Sequence, residues 1–332
     1  MNVLVTGGAG FLGAYTMAAL EAAGHTAFAY DVAPPTGDLL SVAPALASRF
    51  RAGQIGDLAQ LFDVCRAEKI DAMVHAAGLI GLEPSLAQPL AFYQTNIMGL
   101  VHACEAARQL GMRKLVAISS NAAYHKGGEK LIETDPPFSV TGGNPAGHYG
   151  TSKMAGEAIG LAYASFQHVD FVALRVTAIY GFGMRSPMYI KPMVENAVRG
   201  EPTRFATGGP MKRDYTHVRD CCDAIVLALN APRNEPGAQR VLNVSAGQAH
   251  TAADVAEMVR RIVPGADIAI GDTLTPLEAE NVKMRAPLDI SAAKRVLGWS
   301  PNWPLEKGIR EYAERYRQFI AGQVVGGCSA SV

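Results

Sequence analysis

Thr6-Gly7-Gly8-Ala9-Gly10-Phe11-Leu12-Gly13 follows directly on a short apolar run, Asn2 to Thr6, and opens an amphipathic stretch, Phe11 to Ala23. The order is strand, glycine turn, helix. Gly7, Gly10 and Gly13 allow a tight turn, a close backbone approach to a pyrophosphate and tight helix-strand packing, while the helix N-terminus faces the negative charge. A glycine cluster alone is weak evidence, since many turns are glycine-rich. Here the strand-turn-helix context is joined by an acidic residue, Asp31, at the end of the second apolar run, Thr26 to Tyr30, and that combination indicates a dinucleotide site.

Asp31 is placed to accept hydrogen bonds from the adenosine ribose hydroxyls. Its charge repels a 2′-phosphate, and Val32-Ala33-Pro34-Pro35 bring no arginine to neutralise one. NAD is therefore expected rather than NADP.

Outward from this unit the same alternation continues. Val/Ile/Leu/Ala-rich runs at Ala72 to His75, Leu115 to Ser119 and Phe171 to Arg175 read as buried parallel strands. Amphipathic stretches at Leu58 to Glu68, Ala91 to Leu110 and Tyr149 to Ala164 read as crossover helices. The fold class is α/β, a Rossmann-type doubly wound parallel sheet. After Tyr180 the pattern loosens into segments broken by Gly and Pro, such as Gly181-Phe182-Gly183 and Gly208-Gly209-Pro210. The expected organisation is a dinucleotide-binding domain over residues 1–180 and a smaller C-terminal substrate-binding lobe over 181–322. Segments within 213–245, notably Val218 to Leu229 and Leu242 to Ser245, are expected to return to the main domain. The tail 323–332, made of small residues without periodicity, is expected to be frayed.

The 332 residues suffice for a full core without staples. Thirty basic and thirty acidic side chains cancel, so no electrostatic footprint for nucleic acid or an anionic membrane is expected, and a small-molecule substrate fits better. The five cysteines (Cys65, Cys104, Cys221, Cys222, Cys328) form no CxxC pair and no zinc spacing. Reduced thiols and no metal are expected. The N-terminus reaches the glycine turn without a basic region or a long apolar run, so a cytoplasmic location is expected.

Tyr149-Gly150-Thr151-Ser152-Lys153 puts a phenol and an ammonium four residues apart at the start of a helix, on one face. A tyrosine with a pKa of about 10 is a poor base at neutral pH, but a neighbouring cation stabilises its phenolate. Leu115-Val116-Ala117-Ile118-Ser119-Ser120 ends a strand on a hydroxyl, where open α/β sheets bind ligands. Ser120 is the expected orienter of the reacting oxygen.

Taken together, these motifs resemble the extended short-chain dehydrogenase/reductase family of NAD-dependent epimerases and dehydratases, and the resemblance covers nearly all of the chain. Besides TGGAGFLG at Thr6 to Gly13 and Asp31, it rests on Gly56-Asp57-Leu58, HAAG at His75 to Gly78, Asn96 with Gly99, Ser120 and YGTSK at Tyr149 to Lys153. RVTAIYG at Arg175 to Gly181, RDYTHVRD at Arg213 to Asp220 and LGWSP at Leu297 to Pro301 complete it. The resemblance implies that Phe11 and Leu12 join the glycines at the cofactor, with Asp57 and Leu58 flanking the adenine. It further implies that Ala76, Ala77 and Gly78 line the pyrophosphate and ribose, that Asn96 belongs to the cofactor site and that Ile179 lies near the nicotinamide. Lys153 would also bind the nicotinamide ribose. Ser120, Asn121, Ala178 and Arg213 fall on the substrate side, where family members use such an arginine to hold a nucleotide phosphate. Asp214, His217 and Asp220 are structural in the family.

The dehydratase branch needs an acid/base pair just after the Ser/Thr, and Asn121 and Ala122 cannot act as one. Hydride transfer at a sugar hydroxyl remains, with two readings open. Arg213 and the matching C-terminal lobe favour an epimerase acting on a UDP-linked or similar nucleotide sugar. Ala178, where sugar-nucleotide epimerases usually carry asparagine, favours a dehydrogenase of a smaller, unlinked sugar, sugar acid or polyol. A non-catalytic NAD-sensing protein is disfavoured by the intact Ser120, Tyr149 and Lys153. The resemblance also implies a homodimer built on the helices of Ala91 to Leu110 and Tyr149 to Ala164. The face Ala155, Gly156, Ala158, Ile159, Ala162 permits close contact, although packing inside one monomer would use it as well.

Overall fold

Val3 and Val5 bury against one face of a central sheet and Leu4 against the other, the period-2 alternation of a strand covered on both sides. The computed structural model describes residues 1–125, 128–135, 142–283 and 286–328. Seven strands form the sheet: β1 (Asn2–Thr6), β2 (Thr26–Asp31), β3 (Phe50–Ala52), β4 (Ala72–His75), β5 (Leu115–Ser120), β6 (Phe171–Val176) and β7 (Val241–Val244). They run parallel in the order β7-β6-β5-β4-β1-β2-β3. Strand order reverses between β1 and β4, which opens a crevice at their carboxyl ends where such sheets bind ligands. Gly7 follows β1, Asp31 ends β2, Ala76 follows β4 and Ser120 ends β5 at that edge.

The crossovers and later helices are α1 (Phe11–Ala22), α2 (Gly37–Val42), α3 (Leu58–Ala67), α4 (Gly99–Gln109), α5 (Gly147–Phe166), α6 (Ile190–Arg199), α7 (Val218–Asn230), α8 (Ala252–Ile262) and α9 (Leu305–Cys328). Ala14, Met17 and Leu20 of α1 pack with Cys221, Ala224 and Ile225 of α7 on one face of the sheet. Leu61 and Cys65 of α3 pack with Leu100, Ala103 and Cys104 of α4 on the other. The sheet is thus wound on both faces. A separate core gathers Met193 and Val194 of α6, Val255 and Val259 of α8 and Ile309 and Tyr312 of α9.

The chain crosses back after Tyr180: α7 lies on the main sheet and β7 extends it beside β6. Trp299 locks this return, its indole N–H donating to the Asp220 carbonyl at 3.0 Å, while the Asp220 carboxylate accepts from the backbone of Asn302 and Trp303. His217 is buried and stacked on Trp303 with centroids 4.6 Å apart.

One expectation needs correction. The stretch Ala91 to Leu110 is not one regular helix: a short helix, Pro89–Phe92, passes into a π-helical turn, Tyr93–Met98, before α4 begins. Helix α9 runs through Cys328. Residues 329–332 lie outside the described residues, as do 126–127 and 136–141 of the segment after Tyr124.

Candidate active site

The glycine turn is held by its own backbone and by β2. The Gly7 N–H donates to the Tyr30 carbonyl at 2.9 Å and the Gly10 N–H to the Gly7 carbonyl at 3.1 Å. Gly7 sits at φ +69°, and a Cβ there would lie 2.8 Å from the Ala77 nitrogen; a Cβ on Gly13 would lie 2.1 Å from the Gly7 carbonyl oxygen. Only glycine lets β1, β4 and α1 converge so closely. Asp31 accepts hydrogen bonds from the backbone N–H of Ala9 (3.1 Å) and Val32 (2.8 Å), and burial pushes its carboxyl above the usual range.

Ala76 donates its N–H to the Thr6 carbonyl and Ala77 donates to the Thr6 hydroxyl. That hydroxyl also pairs with Nδ1 of His75 at 2.9 Å. Burial, assisted by the charge of Lys153, pulls His75 down to about 3, so its ring is neutral at ordinary pH. Asp57 caps α3 by accepting the Gln60 N–H at 3.0 Å, which puts Leu58 at the first turn facing the crevice.

These residues line a single cleft of about 1890 Å³ that extends from Asp31 and Asp57 past Gly7, Gly10, Phe11, Leu12, Gly13, Ala76, Ala77 and Gly78 to Ser120, Tyr149 and Lys153. Asn121, Ala178, Ile179 and Arg213 line it as well. Asn96 does not. It is buried, and its amide is consumed by the Leu79 N–H (2.8 Å), the Leu79 carbonyl (3.0 Å) and the Ser152 hydroxyl (2.9 Å). From the π-helical turn it ties the loop after β4 to α5.

Tyr149 opens α5 and meets the edge of Phe92 with ring centroids 6.3 Å apart. Burial raises its phenol above the ordinary tyrosine range, while a hydrogen bond from Ser120 draws it back. Ser120 is fixed at the end of β5, where its hydroxyl also accepts the Ala122 N–H at 3.1 Å. The Lys153 ammonium lies 6.0 Å from the Tyr149 ring centroid and donates to the Ile118 carbonyl at 2.8 Å. Burial lowers it to about 8, against an opposing pull from Glu157.

At the other end of the cleft, Arg213 has a buried Nη1 without a hydrogen-bond partner among the described residues, and burial lowers its pKa. Ala178 stands at φ +38°, a left-handed conformation that L-residues seldom adopt. Sequence reasoning missed Ile55, Leu79, Ile80, Arg185, Tyr189 and Tyr215, which also line the cleft. For Arg185 the missing signal is long-range: it reaches the Thr36 hydroxyl at 2.6 Å and Asp38 at 2.9 Å across the chain.

Residues 3–245 match the family model for the NAD dependent epimerase/dehydratase family. The chain belongs to this family. The family enzyme is NAD-dependent, and the cradle of Gly7, Gly13 and Asp31 fits the dinucleotide, because a side chain at either glycine would fill the turn. The chain is 29% identical over 320 residues to a UDP-glucose 4-epimerase of Lacticaseibacillus casei, covering 91% of this chain and 92% of the relative. It is 28% identical to a dTDP-glucose 4,6-dehydratase of Streptomyces niveus, covering 96% and 93%. The structure of a Thermus thermophilus UDP-glucose 4-epimerase in complex with NAD superposes with a TM-score of 0.79 at 27% identity, covering 96% of this chain and 99% of that one. Among the described residues no helix is long and apolar enough to cross a membrane, and no group of three or more His, Cys, Asp or Glu is placed to hold a metal ion.

Proposed function

We propose that the enzyme is a UDP-sugar 4-epimerase-like catalyst, in which Tyr149 takes and returns the proton of a sugar hydroxyl, Lys153 stabilises the phenolate and Ser120 orients the reacting oxygen. When bound, NAD supplies the hydride acceptor and donor. The observation that carries this reading is the single cleft that joins Asp31 at one end to Ser120, Tyr149 and Lys153 and then to Arg213. In the proposal, the buried cationic Nη1 of Arg213 takes a phosphate oxygen of the substrate, which would satisfy a group otherwise costly to leave unpaired. Asn121 and Ala122, at the end of β5, offer no carboxyl for a dehydratase's second proton transfer.

The test is incubation of the purified protein with NAD⁺ and UDP-glucose or UDP-galactose, following isomers by chromatography and the NADH band together. Isomer conversion without net NADH is the expected result. Ala178 supports a second reading, a net dehydrogenase of an unlinked sugar, sugar acid or polyol, and net NADH formation on such a substrate would replace the first. We further propose a homodimer formed through the helices of Ala91 to Leu110, with the adjoining short helix Pro89–Phe92, and through α5. Exposed Leu90, Met98, Ala158, Leu161 and Ala162 support it, whereas Gly156 is accounted for within the monomer by its approach to Leu100. A monomer by light scattering at micromolar concentration would refute the dimer. Cys65, Cys104, Cys221 and Cys222 are buried free thiols, which supports a reducing, cytoplasmic setting.

A further inference from the structure

Glu157 lies one helical turn beyond Lys153 on α5 and is buried, yet nothing in the reaction uses it. It receives three side-chain hydrogen bonds. The Ser119 hydroxyl donates to its Oε1, Arg175 Nε donates to the same oxygen at 2.9 Å, and Arg175 Nη2 donates to Oε2 at 2.7 Å. The two-pronged guanidinium pair fixes the carboxylate plane. Arg175 is itself clamped: its guanidinium stacks 4.5 Å from the Tyr124 ring centroid and donates through Nη1 to the Glu133 carbonyl.

The pair therefore ties together β5, β6 and α5 directly behind the reacting groups. Ser119 precedes Ser120, Ile118 accepts the Lys153 ammonium, and Glu157 shares a helix face with Lys153. Lys153 shares its helix with Tyr149 and Glu157, donates to the Ile118 carbonyl on β5 and lies near the neutral His75 on β4; against Glu157 stand Ser119 on β5 and Arg175 on β6. Of these groups only Glu157 supplies a negative charge beside the ammonium. A buried ion pair is a weak source of stability, since desolvation offsets much of its attraction. Its placement one turn from a catalytic cation gives it another use.

We infer that Glu157 is a positioning residue for the reaction, holding Lys153 in its charged form against the desolvation of the cleft, with Arg175 and Ser119 fixing the carboxylate in place. The inference rests on the proposed roles of Tyr149 and Lys153 but not on the identity of the substrate. The ammonium is already drawn down to about 8 by burial. Removing the one negative charge beside it shifts its titration further down by about one pH unit, the low end of what a single neighbouring charge does.

The test reads Lys153 itself. The full-length protein is pulse-labelled with an amine-reactive reagent across a pH series, and modification of the Lys153 peptide is quantified by mass spectrometry. The Lys153 midpoint is expected to fall by about one unit in Glu157→Gln and to return towards the native value in Glu157→Asp, which keeps the charge. Should Glu157→Gln fail to fold with Arg175 left unpaired, the double variant Glu157→Gln/Arg175→Met removes the pair together; because the guanidinium stands behind the carboxylate, a smaller downward shift of the Lys153 midpoint is expected there, and an unmoved midpoint would overturn the inference. A folded variant that labels more at every pH with an unmoved midpoint would show a merely structural role and overturn the inference. Because no substrate is used, failure of the epimerase assay leaves this outcome readable.

Discussion

A methyl group at Gly13 sets two known magnitudes against each other. Gly13 is the third residue of α1, where replacing glycine by alanine ordinarily gains about 1 kcal/mol of helix stability. Its Cβ, however, would lie 2.1 Å from the Gly7 carbonyl oxygen and 2.6 Å from the Gly8 Cα, both backbone atoms of the turn. No rotamer relieves such contacts. Overpacking of this kind costs about 1–3 kcal/mol, and here the strain falls on the turn that is expected to hold the pyrophosphate. Gly13→Ala should therefore be destabilised on balance and should lose affinity for NAD⁺. In urea unfolding at a concentration one hundred times the native Kd, NAD⁺ stabilises the native protein by about 2.7 kcal/mol; a hundredfold weaker variant retains only about 0.4 kcal/mol. Gly37→Ala is the control. A Cβ there meets nothing within 4 Å at the start of α2, so it should gain up to about 1 kcal/mol while keeping the full NAD⁺ effect. A Gly13→Ala protein with native NAD⁺ stabilisation would refute the close-approach argument.

Tyr149→Phe should lower kcat by about 10²–10⁴, the usual contribution of a proton-transfer group, with NAD⁺ binding by fluorescence quenching little changed; full turnover would remove Tyr149 from the reaction. Asp31→Ser should narrow the preference for NAD⁺ over NADP⁺ by about tenfold or more in parallel binding titrations, because the charge that repels a 2′-phosphate is gone; an unchanged ratio would refute that role. Ala178→Asn should raise the urea midpoint, since asparagine tolerates positive φ and the alanine there costs about 1–2 kcal/mol; a lower midpoint would show that the pocket wall, not the backbone, limits this position. His75, held at about 3 in the fold, must take up a proton on unfolding below its ordinary value of 6.5. The unfolded chain then binds more protons, so stability falls as pH drops from 6.5 towards 3, by about 1.4 kcal/mol per unit. His75→Gln should flatten that slope in acid unfolding curves, and an equally steep slope would assign the acid sensitivity elsewhere.

The parts of this molecule that are legible in the sequence are those whose physics is local. β1 ends at Thr6 and α1 begins at Phe11 because the apolar run, the glycines and the helical period all change within a few residues. Ser120 and Tyr149 are legible in the same way, each at the end or start of one element. The π-helical turn at Tyr93–Met98 leaves no such mark, since its apolar spacing continues into α4; only the tertiary bonds of Asn96 to Leu79 and Ser152 distinguish it. Spacing alone accordingly gives no sign that the Asn96 amide bonds to Leu79 and Ser152. Arg185 illustrates a second limit, because its partners Thr36 and Asp38 belong to the crossover after β2 and no local pattern joins them. Glu157 and Arg175 show a third. Glu157 follows Lys153 at i, i+4 and Arg175 ends an apolar run, and nothing in that spacing shows what either side chain meets. Only the crossover from α5 to the neighbouring strand β6 sets the guanidinium against Glu157, so a charge arrangement behind Lys153 is a property of topology rather than of spacing.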